Sequence, residues 1–205
     1  ACCLYPKAAA ACEIVYAIAK ELPVKLTPQI ATCLYTGMAT DTGCFQFDNV
    51  TPHTLRIVAD LMEQFPEIHY AWINRAMFAV KSMGRLRVEQ KLIDQLHTSC
   101  NGKCVMICIT LAFMEQYGLD PLDLDGLAGF PLQVEGAEVG ITLKERDPNV
   151  FKVSMRSART VDVAAICKEF GGGGHIKAAG CLIEGTAESV MQRLQTAVER
   201  SLAES

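Results

Sequence analysis

The hydrophobic pattern changes once along this chain, at Asn101-Gly102, and that change restricts the possible folds more than any other feature. Before it, apolar residues recur at helical spacing. After it, runs such as KCVMICIT, AEVGITLKE and NVFKVSMRS alternate as strands do. The chain therefore reads as two unequal units, a helical one followed by an α+β one.

The first unit has clear punctuation. A helical pattern covers Lys7 to Glu21, and Thr27-Pro28 reads as an N-cap followed by proline at the first helical position of a second helix. That helix ends near TDTG. Thr51-Pro52 opens a third, which Phe65-Pro66 interrupts. From Glu67 to about His97 the pattern stays helical but richer in charge, which suits a connector between domains.

In the second unit AEVGITLKE and NVFKVSMRS, joined by Arg146-Asp147-Pro148, have the signature of a β-hairpin. Asp162 is placed to cap the helix VAAICKEF. The glycine run Gly171 to Gly174 with His175 comes next, then a strand-like CLIEG and a last amphipathic helix from Thr186 toward Arg200.

Four consecutive glycines after a helix let the backbone approach a ligand and aim amide N–H groups at an anion, with phosphate the obvious candidate. A helix opening at His175 would add its dipole to that site. The same run would serve equally as a glycine-rich turn capped by His175. Arg156, Arg159 and Lys177 supply cations nearby in sequence. Alternation puts Ser154 and Arg156 on one strand face and Val153, Met155 and Ser157 on the other, so Arg156 suits a ligand better than a core, or else a solvated surface. Asp41 in YTGMATDTGCFQF, between two threonines and beside Gly43, could ligate a hard divalent metal or simply finish a turn.

Composition excludes several classes. A formal net charge of -4 argues against a broad basic face gripping long duplexes, so a nucleic-acid ligand would be short. The ten cysteines, Cys2, Cys3, Cys12, Cys33, Cys44, Cys100, Cys104, Cys108, Cys167 and Cys181, show no paired CxxC spacing and read as reduced, mostly buried small hydrophobes. Zinc at Cys100, Cys104 and Cys108 is disfavoured, since VMICIT reads as a strand and no matching ligand pair follows. No run approaches a bilayer-spanning length and the alanine-rich opening lacks a basic leader, so the expected location is cytoplasmic.

Taken together, YTGMATDTGCFQFDNVTPHTLRIVADLME and SMRS followed by VDVAAICKEFGGGGHIKAAGC resemble the DHH phosphoesterases. The first segment is similar to the last motif of their catalytic domain, the second to their DHH-associated C-terminal domain of the first type. Among subfamilies the similarity points to the bacterial nano-RNase and pAp-phosphatase group. The resemblance implies an α/β protein of two domains. Residues 1–80 would be the C-terminal remainder of a DHH catalytic domain, 81–99 a helical linker, and 100–205 a mixed-sheet substrate-binding domain.

The resemblance also implies a hydrolase acting on short single-stranded RNA or 3'-phosphoadenosine 5'-phosphate, using two manganese ions with Asp41 as one ligand. Ser154, Arg156, the amides of Gly172, Gly173 and Gly174, and His175 would hold the substrate. The family's Asp-His-His triplet does not occur, so the chain is expected to be a truncated and inactive form, with homodimerisation possible. A noncatalytic RNA- or nucleotide-binding module, a cyclic-dinucleotide hydrolase and an exopolyphosphatase are the alternatives.

Overall fold

The computed structural model describes residues 5–23, 25–119, 124 and 126–204, so Cys2 and Cys3 lie outside the described residues. The chain divides into two compact units, Ala1–Lys81 and Ser82–Ser205.

The first unit is helical. Helices α1 (Ala11–Glu21), α2 (Pro28–Asp41), α3 (Pro52–Gln64) and α4 (Tyr70–Asn74) are followed by a π turn at Arg75–Ala79. Local cap chemistry starts α2 and α3: the Thr27 hydroxyl accepts from the Ile30 amide, and Thr51 and Thr54 form a reciprocal capping box. The core gathers Leu34, Tyr35 and Met38 of α2 with Ile57 and Leu61 of α3 and Tyr70 of α4. Tyr35 meets Tyr70 edge to face at 4.7 Å, and the Tyr70 hydroxyl donates to the Leu61 carbonyl at 2.9 Å. Helix α1 approaches α2 closely because Gly37 has no Cβ; one there would stand 2.2 Å from Cys12 Sγ. Glu13 of α1 is buried and accepts from the Thr54 hydroxyl at 2.5 Å.

The second unit is a six-stranded mixed sheet with helices. It comprises α5 (Met83–Ile93), β1 (His97–Ser99), β2 (Cys104–Ile109), α6 (Leu111–Tyr117), a 3-10 helix (Leu127–Gln133), β3 (Val139–Asp147), β4 (Val150–Ser157), α7 (Val163–Glu169), β5 (Gly173–His175), β6 (Ala178–Glu184) and α8 (Ala187–Glu204). Strand order is β1-β2-β3-β4-β6-β5, with β2 and β3 parallel and the other neighbours antiparallel.

One sheet face buries Met106, Ile141, Val153, Met155, Cys181 and their neighbours against α7 and α8. On the opposite face Ile107 and Ile109 pack with Val88 and Leu92 of α5, Phe113 of α6, and Leu127 and Phe130 of the 3-10 helix. The charged segment expected as a connector thus puts apolar residues of α5 into this second core. That cover thins over β4 and β6, where Lys152 and Leu182 are exposed and Ser154, Arg156, Ala178 and Gly180 are half-buried.

Two expectations need correction. The helical pattern read to His97 is interrupted after Ala79 and ends at Ile93, because His97–Ser99 pairs with β2 as an edge strand. His175 does not open a helix either. It ends β5, which folds back on β6 as a tight hairpin, so the glycine run meets the C-terminal end of α7 and not the N-terminus of a following helix.

Candidate phosphate-binding site

The site begins with how α7 stops. Asp162 caps its N-terminus, its carboxylate accepting from the Ala164 and Ala165 amides at 2.9 and 3.0 Å. At the other end Gly171 takes a left-handed φ of 73°, its amide donates to Lys168 O, and the Gly172 amide donates to Cys167 O at 2.9 Å. This is the Schellman arrangement, and glycine suits its left-handed position. The Gly172 amide is therefore committed to the helix end and is not available to an anion, contrary to the role expected for it. Gly172 serves instead by close approach, since a Cβ on it would lie 2.2 Å from Gly180 O.

Register then assembles the site. Arg156 on β4 pairs with Ala178 on β6, which pairs with His175 on β5; Ser154 likewise pairs with Gly180, which pairs with Gly173. Paired residues share a face, so Arg156 and Ser154 form one side of a shallow trough and His175 and Gly173 the other. The floor between them is the small pair Ala178 and Gly180. Two strand spacings, about 9.6 Å, separate the flanking backbones. A Cβ at Gly173 would meet nothing within 4 Å, so the trough is open there. Strand β5 is the sheet's edge, and alternate amides of an edge strand point away from the ladder.

The electrostatics single out Arg156. Burial draws its guanidinium below the ordinary arginine value, yet its hydrogen bond goes to the adjacent Met155 carbonyl at 2.9 Å, and it has no carboxylate partner among the described residues. The other two candidate cations are engaged. Arg159 Nε lies 3.5 Å from Glu138 Oε2, and the Lys177 ammonium donates to the Arg159 carbonyl. The Lys177 amide donates to His175 Nδ1 at 3.3 Å, which makes Nδ1 the acceptor and leaves Nε2–H as a donor without a partner among the described residues. Ser154 contributes a half-buried hydroxyl on the same face.

Glu138 holds the loop beside the site, a role not foreseen from its place in the sequence. This buried carboxylate accepts from the amides of Arg159, Thr160 and Val161 at 3.0, 2.6 and 3.3 Å, and so shapes the loop between β4 and α7. Burial pushes its carboxyl up, but those three amides and the Arg159 side chain outweigh it and hold the group below the usual glutamate value. A glutamate at the start of an apolar alternating strand was the available signal.

Asp41 is the last residue of α2, in the other unit, and its side chain is exposed. Thr42 is fully buried, donates to Met38 O at 2.6 Å and accepts from the Phe45 amide. Gly43, Cys44 and Phe45 then run left-handed in succession, with φ of 56°, 57° and 65°. Two non-glycine residues in that region carry backbone strain, which clusters at functional loops. Asp41 supplies a single carboxylate, and among the described residues no group of three or more His, Cys, Asp or Glu gathers. These residues do not make a manganese site by themselves.

Residues 101–204 match the DHHA1 domain, half of the chain. The chain belongs to the DHHA1-domain family. The part of the resemblance carried by GGGGH is thereby upheld, and the trough described above lies wholly within the DHHA1 domain. The bifunctional oligoribonuclease and PAP phosphatase NrnA of Thermus thermophilus is 32% identical over 198 residues, 96% of this chain and 58% of that protein. An A-adding tRNA nucleotidyltransferase of Aquifex aeolicus is 24% identical, covering 95% of this chain and 23% of its own length. Among solved structures, an exopolyphosphatase-related protein from Bacteroides fragilis superposes with a TM-score of 0.85 at 24% identity, over 96% of this chain and 58% of that one. The chain thus spans little more than half the length of the oligoribonuclease relative. No helix among the described residues is long and apolar enough to cross a membrane.

Proposed function

We propose that the trough of the DHHA1 domain binds the phosphate of a nucleotide or short RNA, and that the protein bearing it is a phosphoesterase of the oligoribonuclease and pAp-phosphatase type. One observation carries the reading: a half-buried guanidinium, Arg156, without a carboxylate partner, in the same sheet row as the Nε2–H of His175. Leaving a cation desolvated and unpaired is costly, and a phosphate arriving between Arg156 and His175 would relieve that cost.

The planar fork of Arg156 can take two phosphate oxygens in parallel. His175 Nε2–H donates from the opposite side, and Ser154 and the outward amides of β5 complete the donors. The name of the Thermus relative supports oligoribonucleotides or 3'-phosphoadenosine 5'-phosphate as the substrate class. Two manganese ions, with Asp41 giving one carboxylate, belong to the same proposal; bound, they would supply an activated water. Within the DHHA1 domain the residues hold and orient the nucleotide.

Calorimetric titration with AMP tests the clamp. Arg156→Ala should cost about 1.5–3 kcal/mol, roughly 10- to 150-fold in affinity. Arg156→Lys should recover only part, because the ammonium keeps the charge but loses the fork. His175→Ala should weaken binding, and Arg146→Ala, at the exposed end of β3, should not. Gly173→Ala should fold normally yet block the trough with its methyl. Parent-like affinity in the Arg156→Ala and His175→Ala variants would mean the glycine run is structural.

A further inference from the structure

The open face continues past the clamp. Along β3 and β4 the row after Thr142 and Ser154 pairs Lys144 with Lys152, and Lys152 pairs in turn with Leu182 on β6. Two lysines directly opposite each other repel, an arrangement that costs stability in an antiparallel ladder. Neither has an ion pair or hydrogen bond among the described residues that would offset it. Leu182 beside them is 58% exposed, an apolar surface at which a base can rest. One row further on, past a register irregularity that takes in the exposed Arg146, two carboxylates follow: Asp147 pairs with Val150, and Val150 with Glu184.

The face is therefore ordered by charge. Arg156 and His175 stand at one end, Lys144 and Lys152 four residues along, and Asp147 and Glu184 beyond. Four strand residues span about 13 Å. A single phosphate group cannot bridge that distance, whereas a ligand with phosphates repeated along a chain can.

We infer that Lys144 and Lys152 form a second phosphate position, reached by a short single-stranded oligonucleotide and not by a mononucleotide, with Asp147 and Glu184 closing the track beyond it. The inference rests on the phosphate clamp proposed above and names its substrate class more narrowly. Nucleic acid and inorganic polyphosphate share the repeating anion; the exposed Leu182 favours a ligand that carries bases.

The test uses the full chain and its Lys144→Ala/Lys152→Ala variant, titrated with AMP, a 5'-phosphorylated ribonucleotide trimer, a 5'-phosphorylated decamer and inorganic polyphosphate at several salt concentrations. The parent should bind the trimer more tightly than AMP and the decamer no better than the trimer. The double variant should lose about tenfold on the trimer, two exposed charge contacts' worth, while AMP binding stays as in the parent. The slope of log affinity against log salt for the trimer should fall by about 1.4, about 0.7 for each lysine on a single strand. Thermal unfolding should show the variant at least as stable as the parent, since the change removes a like-charge pair.

An unchanged trimer affinity, or an equal loss on AMP, overturns the second position. A decamer that binds much more tightly than the trimer overturns the closed track, and polyphosphate outbinding the trimer overturns the oligonucleotide assignment. Arg156→Ala separates the two levels. If it abolishes AMP binding while the lysine change leaves the trimer untouched, the clamp stands and only the second position falls; if it leaves AMP binding intact, the clamp itself falls.

Discussion

The two units solve the problem of burying apolar surface in different ways. The second unit, Ser82–Ser205, which holds the DHHA1 domain and is called the DHHA1 unit below, packs its sheet between helices: Met106, Ile141, Val153 and Leu194 lie fully inside on the α7 and α8 side, and Ile107 and Leu92 on the other. The helical unit leaves Val15, Ile18, Leu22, Phe47, Trp72 and Val80 exposed, and carries a cavity of about 600 Å³ bordered by Tyr5, Ile14, Ile18 and the buried Glu13. A sheet buried along one face by α7 and α8 and over β2 and β3 on the other holds a larger share of its apolar surface inside than four helices with apolar outer surfaces, which are prone to self-association. The contrast predicts that the units differ in stability as well as in architecture.

The largest effects should come from the cores. Phe151→Ala, at a position 1% exposed on β4, should cost about 3–5 kcal/mol, and Leu61→Ala, fully buried on α3, about 2–5 kcal/mol. Denaturant unfolding followed by circular dichroism should show two transitions, the helical unit first, with each substitution lowering only its own. A single transition moved by both would erase the distinction between the units.

A smaller effect should separate the units by pH. Because the folded Glu138 carboxyl sits below its unfolded value, its contribution is present above the unfolded glutamate range and is lost as pH falls through the depressed folded value. Glu138→Ala should cost the DHHA1 unit about 1–3 kcal/mol near neutrality by stranding three amides, and that penalty should shrink in acid. The helical transition should not respond to the substitution at any pH.

Thiol reactivity sharpens the comparison without altering stability. Cys33 in the helical unit is exposed, while Cys104, Cys167 and Cys181 in the DHHA1 unit are buried. Burial pushes the Cys104 thiol up to about 12 and Cys108 to about 11; for Cys167 the hydrogen bond with Cys181 raises it first and burial second. Alkylation followed by mass spectrometry should label Cys33 well before Cys104 and Cys167. Equal rates would mean that opening of the DHHA1 unit exposes Cys104 and Cys167 as fast as an already exposed thiol reacts.

What the sequence disclosed follows the range of the interactions involved. The caps at Thr27, Thr51 and Asp162 were legible because a hydroxyl or carboxylate bonds amides two or three residues away. The β3–β4 hairpin was legible from alternation and its turn. The β1 edge was not, since His97–Ser99 becomes a strand only through β2, and the 3-10 segment LAGFPLQ has no period to read. Within the site Arg156, Ser154, Gly173 and His175 could each be named, but their alignment depends on the β4-β6-β5 register, which is non-local. Lys152 could have been found by extending the alternation that separated Ser154 and Arg156 by two residues.

The sheet ends in a three-residue strand on each side, β1 at one edge and β5 at the other. Long bare edges recruit further strands and seed fibrils, and three residues present too few ladder groups to hold an incoming chain in register. At β5 this brevity has a second effect. Outward amides on a longer edge would be competed for by any extended peptide, whereas those of Gly173–His175 are left to a ligand too small to pair as a strand.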